Sequence, residues 1–233
     1  TRKIKDLQEY YQDAIIEVAI HPGGLPGSTG VDAIHTYEFT TSSGDDISSQ
    51  MGAEYLPLGT VNRIEGGINE RCFTYDQWAS EIEKILYDSE GLPKEKKFDI
   101  DIITTFNTTT KELTITTDVV ALSSLQRNFK LAIIITEDKI IAPQDDGEEF
   151  IENYEHNSIY RCAVNGTYGE TINDDLESLF EHQSTYTLIL NQDSNTNWTS
   201  DWDNINNCYV IAYVYDSESL IIEDSIKQAI INE

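Results

Sequence analysis

The residues predict an α+β protein in two domains, an α/β part over 1–93 and an antiparallel β-sandwich over 94–233. Two patterns predict it. Up to Pro93, helical apolar spacings alternate with short strand-like runs. Beyond Lys97, apolar residues recur at every second position in several short segments separated by turn residues. A third observation makes folding expected at all. Apolar residues are 39% of the 233, with 13 Tyr, 7 Phe and 3 Trp, enough for a sizeable core.

The elements follow in order. Ile4, Leu7, Tyr10 and Tyr11 fall on one face of a helix over 1–12. AIIEVAIH (14–21) is apolar and β-branched, the pattern of a strand buried on both faces. His21-Pro22-Gly23-Gly24 breaks it, and residues 22–40 read as a long loop. TSSGDDISSQM (41–51) reads as a short helix with Ser or Thr caps. EYLPLGTVNRI (54–64) and INERCF (68–73) read as strands, the first carrying Pro57 near its start. Thr74 caps a helix with Trp78, Ile82, Ile85 and Leu86 on one face, and Gln77 completes a capping box. Gly91-Leu92-Pro93 ends that helix. The basic KEKK (94–97) reads as a linker. Strand alternation then appears at Phe98–Ile102, Leu113–Thr117, Leu131–Ile135, Tyr186–Leu190 and Tyr209–Tyr215, with a hairpin turn at 107–110.

Charge excludes several functions. With 42 acidic and 15 basic residues the net charge is −27, which repels phosphate backbones and anionic membranes, so nucleic-acid binding is not expected. No run of eighteen apolar residues is present to span a bilayer as a helix. Thr1-Arg2-Lys3-Ile4-Lys5 opens into a polar helix rather than a signal peptide, as in a processed or trimmed product. Cys72, Cys162 and Cys208 form no CxxC and no zinc spacing. Three buried thiols is the preferred reading, and one bridge with a free thiol the alternative.

Three groups of residues invite a chemical reading. EHNSIYRCAVNGTYGE (155–170) gathers His156, Arg161 and Cys162, an arrangement that acid–base or thiol chemistry needs. Adjacent strand residues point to opposite faces, however, which separates Arg161 from Cys162. The preferred reading is a strand over Ile159–Val164 and a turn at Asn165-Gly166, with His156 and Asn157 fixing the loop before it. His21 ends an apolar run, where a ligand or base sits in α/β folds, although a loop histidine is the blander and preferred reading. In the Asn- and Asp-rich stretch 191–207, Asp193, Asn195 and Asn197 take EF-hand positions 1, 3 and 5. Trp198 replaces the required Gly and Asn204 the required Glu, so the motif fails. A looser calcium site through Asp201 and Asp203, or through Asp145-Asp146 with Glu148-Glu149, stays open; no cofactor is otherwise expected. Three Asn-x-Thr sequons, at Asn107, Asn165 and Asn197, match a eukaryotic glycosylation signal and carry little weight by themselves.

Two resemblances add to this. The order of elements in the first half resembles a thioredoxin-like domain whose first strand and CxxC region are absent. It implies a cis-proline loop at Leu56-Pro57, where Tyr55 and Arg63 would line a peptide-binding surface beside a mainly structural Pro57. The whole chain resembles the twenty-eight-kilodalton outer-membrane-protein-related family of Bacteroides-type bacteria. The resemblance rests on VAIHPGG (18–24), YLPLGTVNR (55–63), KELTIT (111–116), ITEDKIIAPQ (135–144), YEHNSIYRCAVNGTYGE (154–170) and NCYVIAYVYD (207–216). It implies a secreted or lipid-anchored envelope protein with a thioredoxin-like part and an immunoglobulin-like sandwich, and no assigned reaction.

The reading that follows is a non-enzymatic envelope protein with an interaction or structural role, in the periplasm or at the outer membrane. Its partner is an unidentified protein or glycan, and membrane association is peripheral or through a lipid. The alternatives are a thiol-disulfide oxidoreductase whose CxxC lies upstream of Thr1, and a calcium-stabilised binding module.

Overall fold

The computed structural model describes residues 2–26, 28, 32–35, 37–146, 149–190 and 205–231. In chain order the helices are α1 (Arg2–Tyr11), α2 (Ser42–Gln50) and α3 (Trp78–Leu86). The strands are β1 (Phe98–Asn107), β2 (Glu112–Ala121), β3 (Leu125–Glu137), β4 (Ile140–Asp146), β5 (Glu149–His156), β6 (Ile159–Ala163), β7 (Glu170–Leu176), β8 (Glu181–Ile189), β9 (Cys208–Asp216) and β10 (Ile222–Ala229).

Two antiparallel sheets make the sandwich. One runs β1-β2-β8 and the other β10-β9-β3-β6, with β7 also paired to β3. The first hairpin turns where Asn107 Oδ1 accepts the N–H groups of Thr109 and Thr110, at 2.9 and 3.1 Å, an Asx-type turn. β3 is the spine of the larger sheet. Its thirteen residues pair β9 on one side; on the other they pair β7 first and then β6. At the junction of β6 and β7, Asn165 substitutes for a strand: Oδ1 accepts from Ile133 N and Nδ2 donates to Leu131 O, both 2.9 Å. Gly169 closes this turn at φ +63, so near β3 that a Cβ would lie 2.1 Å from Leu131 O.

Alternation places Leu113 and Ile115 of β2 against Leu131, Ile133 and Ile135 of β3 in one core, with Phe98 and Phe129 edge to face at 5.1 Å. Burying each of these seven side chains contributes about 1.5–3 kcal/mol of transfer free energy. The outer face of the larger sheet is also apolar. Ile134, Tyr160, Ile211 and Tyr213 meet Ile47 of α2 and Met51 just beyond its end, together with Ile16, Val18 and Ile20. A third cluster joins α1 and α3 through Leu7, Tyr11, Phe73, Trp78 and Ile82.

The helices lie where their patterns predict. Thr41 caps α2 by accepting Gly44 N at 3.0 Å. Gln77 reaches back to Thr74 N and Oγ1, though the helix proper starts one turn later, at Trp78.

The α/β sheet expected of residues 1–93 does not form among the described residues. AIIEVAIH is extended but meets β6 at one residue: Ala19 donates to Ser158 O at 2.7 Å and accepts from Tyr160 N at 2.9 Å, as a parallel bridge. Residues 54–64 contribute a single bridge, Gly59 to Phe73, and 68–73 form a reversal closed between Asn69 and Cys72. The cause is partnership rather than propensity. A β-branched run becomes a strand only beside a partner of matching length, and β6 has five residues, of which one meets this run. Gly66 just before 68–73 (φ +109°) and Glu70 within it (φ +53°) take left-handed conformations that bend the chain before a ladder can grow. Residues 1–93 therefore form a helical layer whose apolar side chains share a core with the sandwich.

Candidate functional site

β6 carries a bulge that decides the geometry of the residues singled out in 155–170. Ile135 pairs with Cys162 and Thr136 with Tyr160, leaving Arg161 as the extra residue. Tyr160 thus joins the outer cluster while Cys162 joins the inner core. The expectation that strand alternation keeps Arg161 and Cys162 apart is corrected by this bulge, which re-aims Arg161 into the end of the sandwich. There its Nε lies 3.6 Å from Glu137 Oε2, with the two side chains 2% and 6% exposed. Its guanidinium sits over the Tyr37 ring, 5.8 Å from the centroid.

His156 ends β5 and is buried in the same place. Its ring lies 4.8 Å from Phe39, 4.8 Å from Tyr154 and 6.1 Å from His21, and Tyr37 stacks on Phe39 at 5.0 Å. The fold therefore brings His21, His156 and Arg161 together from the 15–21 segment, β5 and β6. Among the described residues, the buried His156 Nε2 has no hydrogen-bond partner. Burial holds His156 below the usual histidine range, although the carbonyls of Ala142 and Pro143 oppose this in part. Burial, then the His156 and Arg161 charges, pulls His21 down to about 4. Both rings are neutral near pH 7. Glu137 is pushed up by burial and held down in part by Arg161.

The bend entering β6 is equally fixed. Asn157 Oδ1 accepts Lys139 N at 2.9 Å, and Asp138 Oδ1 accepts Ser158 N at 2.6 Å, which holds Ser158 at φ +56°. Each bond ties the β3–β4 turn to the β5–β6 turn.

The remaining candidates lie elsewhere. The Leu56–Pro57 peptide bond is cis. Arg63 does not line a peptide-binding surface beside it: the side chain is buried, donates to Tyr213 Oη at 2.8 Å, and lies 5.0 and 5.2 Å from the Tyr213 and Tyr215 ring centroids. Tyr213 and Tyr215 capture it because they occupy one face of β9. Asp193, Asn195, Asn197, Asp201 and Asp203 lie outside the described residues, as does Glu148. Asp145 sits beside His35, whose Nε2 is 3.4 Å from its carboxylate. Among the described residues no group of three or more His, Cys, Asp or Glu side chains is placed to hold a metal ion. Cys72, Cys162 and Cys208 are buried and form no disulfide among the described residues, and burial pushes the Cys72 and Cys208 thiols up, away from reactive thiolates.

One polar cluster was missed in the sequence reading. Glu170 Oε1 accepts Ser184 Oγ at 2.6 Å and lies 3.3 Å from His182 Nε2, tying β7 to β8 across the open side of the sandwich. Ser and His both address the carboxylate rather than each other, so no base is placed to activate the serine. Its one sequence signal is the His182-x-Ser184-x-Tyr186 alternation, polar at positions facing inward.

The family model of the outer membrane protein Omp28 matches residues 44–233. Among solved structures, a domain of the outer membrane lipoprotein Omp28 from Porphyromonas gingivalis is similar at 20% identity and a TM-score of 0.38, over 59% of this chain and 90% of that one. The sporulation control protein Spo0M from Bacillus subtilis is similar at 14% identity and 0.35, over 59% and 49%. Beta-glucosidase 3B from Thermotoga neapolitana, solved with glucose, is similar at 9% and 0.25, and the chain spans only 17% of it. No curated protein matches. The matched span covers both the helical layer from α2 onward and the whole sandwich, including the bulged strand β6, so this chain belongs to the Omp28 family of outer membrane proteins and is a protein of the cell envelope.

Proposed function

We propose that the chain is a non-enzymatic interaction module of the envelope, in which the His21–His156–Arg161 cluster is a brace and not a reaction centre. The observation that carries this is enclosure. Arg161 and His156 are 2% and 4% exposed, Arg161 faces Glu137, and the neutral histidines are packed by aromatic rings. A catalytic acid or base needs access to a substrate proton. What the cluster does is hold the β4–β5 hairpin against the sandwich through His156 and Tyr154. The hairpin in turn exposes Ile141 and Phe150, with the Phe150 ring 6.1 Å from His35, next to exposed Ile34. A rigidly held loop carrying exposed apolar side chains is suited to contact a protein or glycan partner.

The same reading takes membrane association as peripheral or through a lipid; no described helix is long and apolar enough to cross a membrane. A thioredoxin-like relation of residues 1–93 is part of the proposal, supported by the order α1, extended 15–21, α2, cis-Pro57, α3.

The test places a photo-crosslinking side chain at Phe150, or at the buried control Ile133, in intact envelopes. Adducts from Phe150 and not from Ile133, weakened in a His156→Gln variant shown to be folded, support the reading. No adducts from Phe150, or Phe150 adducts undiminished in that folded variant, contradict it.

A further inference from the structure

β8 ends the smaller sheet and pairs only with β2. Two bonds fix which of its backbone groups face away. Ala121 N donates to Phe180 O at 2.9 Å, and Leu190 N to Lys111 O at 3.0 Å. In an antiparallel ladder such bonded positions recur at every second residue. The even-numbered residues of β8 therefore bond β2. Glu181, Gln183, Thr185, Thr187 and Ile189 aim their N–H and C=O outward, and among the described residues these groups have no backbone partner.

Other strand edges are blunted and this one is not. At the start of β1, Asp224 Oδ2 accepts Lys97 N and Phe98 N, at 2.9 and 3.0 Å. β10 carries Glu223, Asp224, Lys227 and a break in register. β5 carries Glu149, Glu152 and Glu155. β8 keeps an unbroken register with β2 from Glu181 to Ile189 and contains no Pro, Lys or Arg. Glu181 is its one acidic side chain, in a chain of net charge −27. Long, flat, nearly uncharged edges pair with further strands. The helical layer lies on the outer face of the other sheet and leaves this edge free.

The residues of β8 indicate what fits beside it. A second β8, laid antiparallel about a two-fold axis at Thr185, joins outward residue to outward residue along the whole strand. On the exposed face Thr185 meets the partner's Thr185, Gln183 the partner's Thr187, and Glu181 the partner's Ile189. On the inner face Ser184 meets the partner's Tyr186, and His182 the partner's Leu188. No like charges oppose each other, and about ten backbone hydrogen bonds form. Moving the axis to Ser184 or Tyr186 leaves a strand end unpaired. Nearby carboxylates do not forbid the approach. Asp118 is held by Gln183 Nε2 at 2.6 Å, and Asp99 and Asp101 lie on β1, roughly 10 Å back from the edge. An unrelated strand would take the same hydrogen bonds, but a register that matches itself in length, charge and polarity on each face is the property of a self-pairing edge.

We infer that β8 joins a second copy of this chain edge to edge, so that the two three-stranded sheets continue into one with two-fold symmetry. The surface is separate from the exposed hairpin and from the buried brace. The net charge repels the second copy at long range, so added salt strengthens the dimer.

The test is sedimentation of the full chain over a dilution series, in low and high salt. A monomer–dimer equilibrium that tightens with salt is expected, with amide exchange at Gln183, Thr185 and Thr187 slowing as the dimer forms. Thr185→Pro removes an outward donor without touching the β2 ladder, and Thr185→Lys sets like charges at the axis. Each should weaken the dimer by about tenfold or more, while Thr105→Lys, on the same exposed face but on β1, should not. Mixing Thr185→Lys with Thr185→Glu should give heterodimers in preference to either homodimer. The inference is overturned by a monomer at every concentration, by a dimer that both Thr185→Pro and Thr185→Lys leave unchanged, or by no preference in the mixture. Outward amides protected equally at every dilution, as an intramolecular cover would make them, also overturn it. A monomer that keeps its Phe150 crosslinks would remove this inference and leave the hairpin reading standing.

Discussion

Replacing Arg161 by Met is the sharpest perturbation of the buried brace. The pair is 3.6 Å apart with side chains 2% and 6% exposed. At an effective dielectric constant of about 20, charges at that distance attract by about 5 kcal/mol, and the desolvation of both ions offsets most of it. Removing one partner keeps the desolvation cost of the other. Arg161→Met alone, and Glu137→Met alone, should each cost about 3–5 kcal/mol. The double variant restores an apolar contact and should return to within about 1–2 kcal/mol of the parent, leaving a coupling energy of several kcal/mol. The assay is urea unfolding, where a 4 kcal/mol loss moves the midpoint down by roughly 1.5–2 M for a chain of this size. The pH dependence adds a signature. Without Arg161, the Glu137 carboxyl rises further above its usual range, so the single variant gains stability as pH falls and Glu137 takes a proton. Single variants within 1 kcal/mol of the parent, or strictly additive losses, would refute the brace.

The histidines make a separate pH prediction. His21 titrates at about 4 in the folded chain against about 6.5 unfolded, so its contribution is complete above pH 6.5 and disappears as pH falls to 4, up to about 3 kcal/mol. His156 is shifted the same way. Denaturation of His21→Gln and His156→Gln between pH 4 and 6.5 should show a flatter slope than the parent. Glu17 and Asp224 are pushed up by burial and oppose this, their contribution falling as pH rises through their folded values. Gly169→Ala, forced against Leu131 O at left-handed φ, should destabilise by more than about 3 kcal/mol or prevent folding, read by the yield of soluble protein and its melting curve. The melting temperature should be the same in calcium and in chelator, and a rise with calcium would bring Asp193, Asp201 and Asp203 back as ligands.

Legibility in the sequence followed partnership. β1, β2 and β8 were readable because each is long and alternates between a more and a less buried face, and β3 and β9 because they are long apolar runs buried on both faces. β10 was not, since IEDSIKQA lies at an edge, where charges interrupt the alternation. β4 and β5 were missed for the same reason: they pair only with each other, and most of β5 faces solvent. Conversely, AIIEVAIH looked more like a strand than any of these and found a single bridging residue. The site shows the same limit. Asn165-Gly166 announced its turn through local chemistry, with Gly166 at φ +87°. The bulge at Arg161 did not, because it arises from register against β3, which no local pattern encodes. His21 and His156 are 135 positions apart, and only the fold puts their rings 6.1 Å from each other.

The most direct measurement is residue-resolved amide exchange on Arg161→Met beside the parent chain. A brace predicts that protection falls together in β4, β5 and at Ala19, whose bonds to the β6 end lie beside His156, while β1, β2 and β8 keep theirs. Unchanged protection in β4 and β5, with the variant folded and the loss confined to β6, would contradict it.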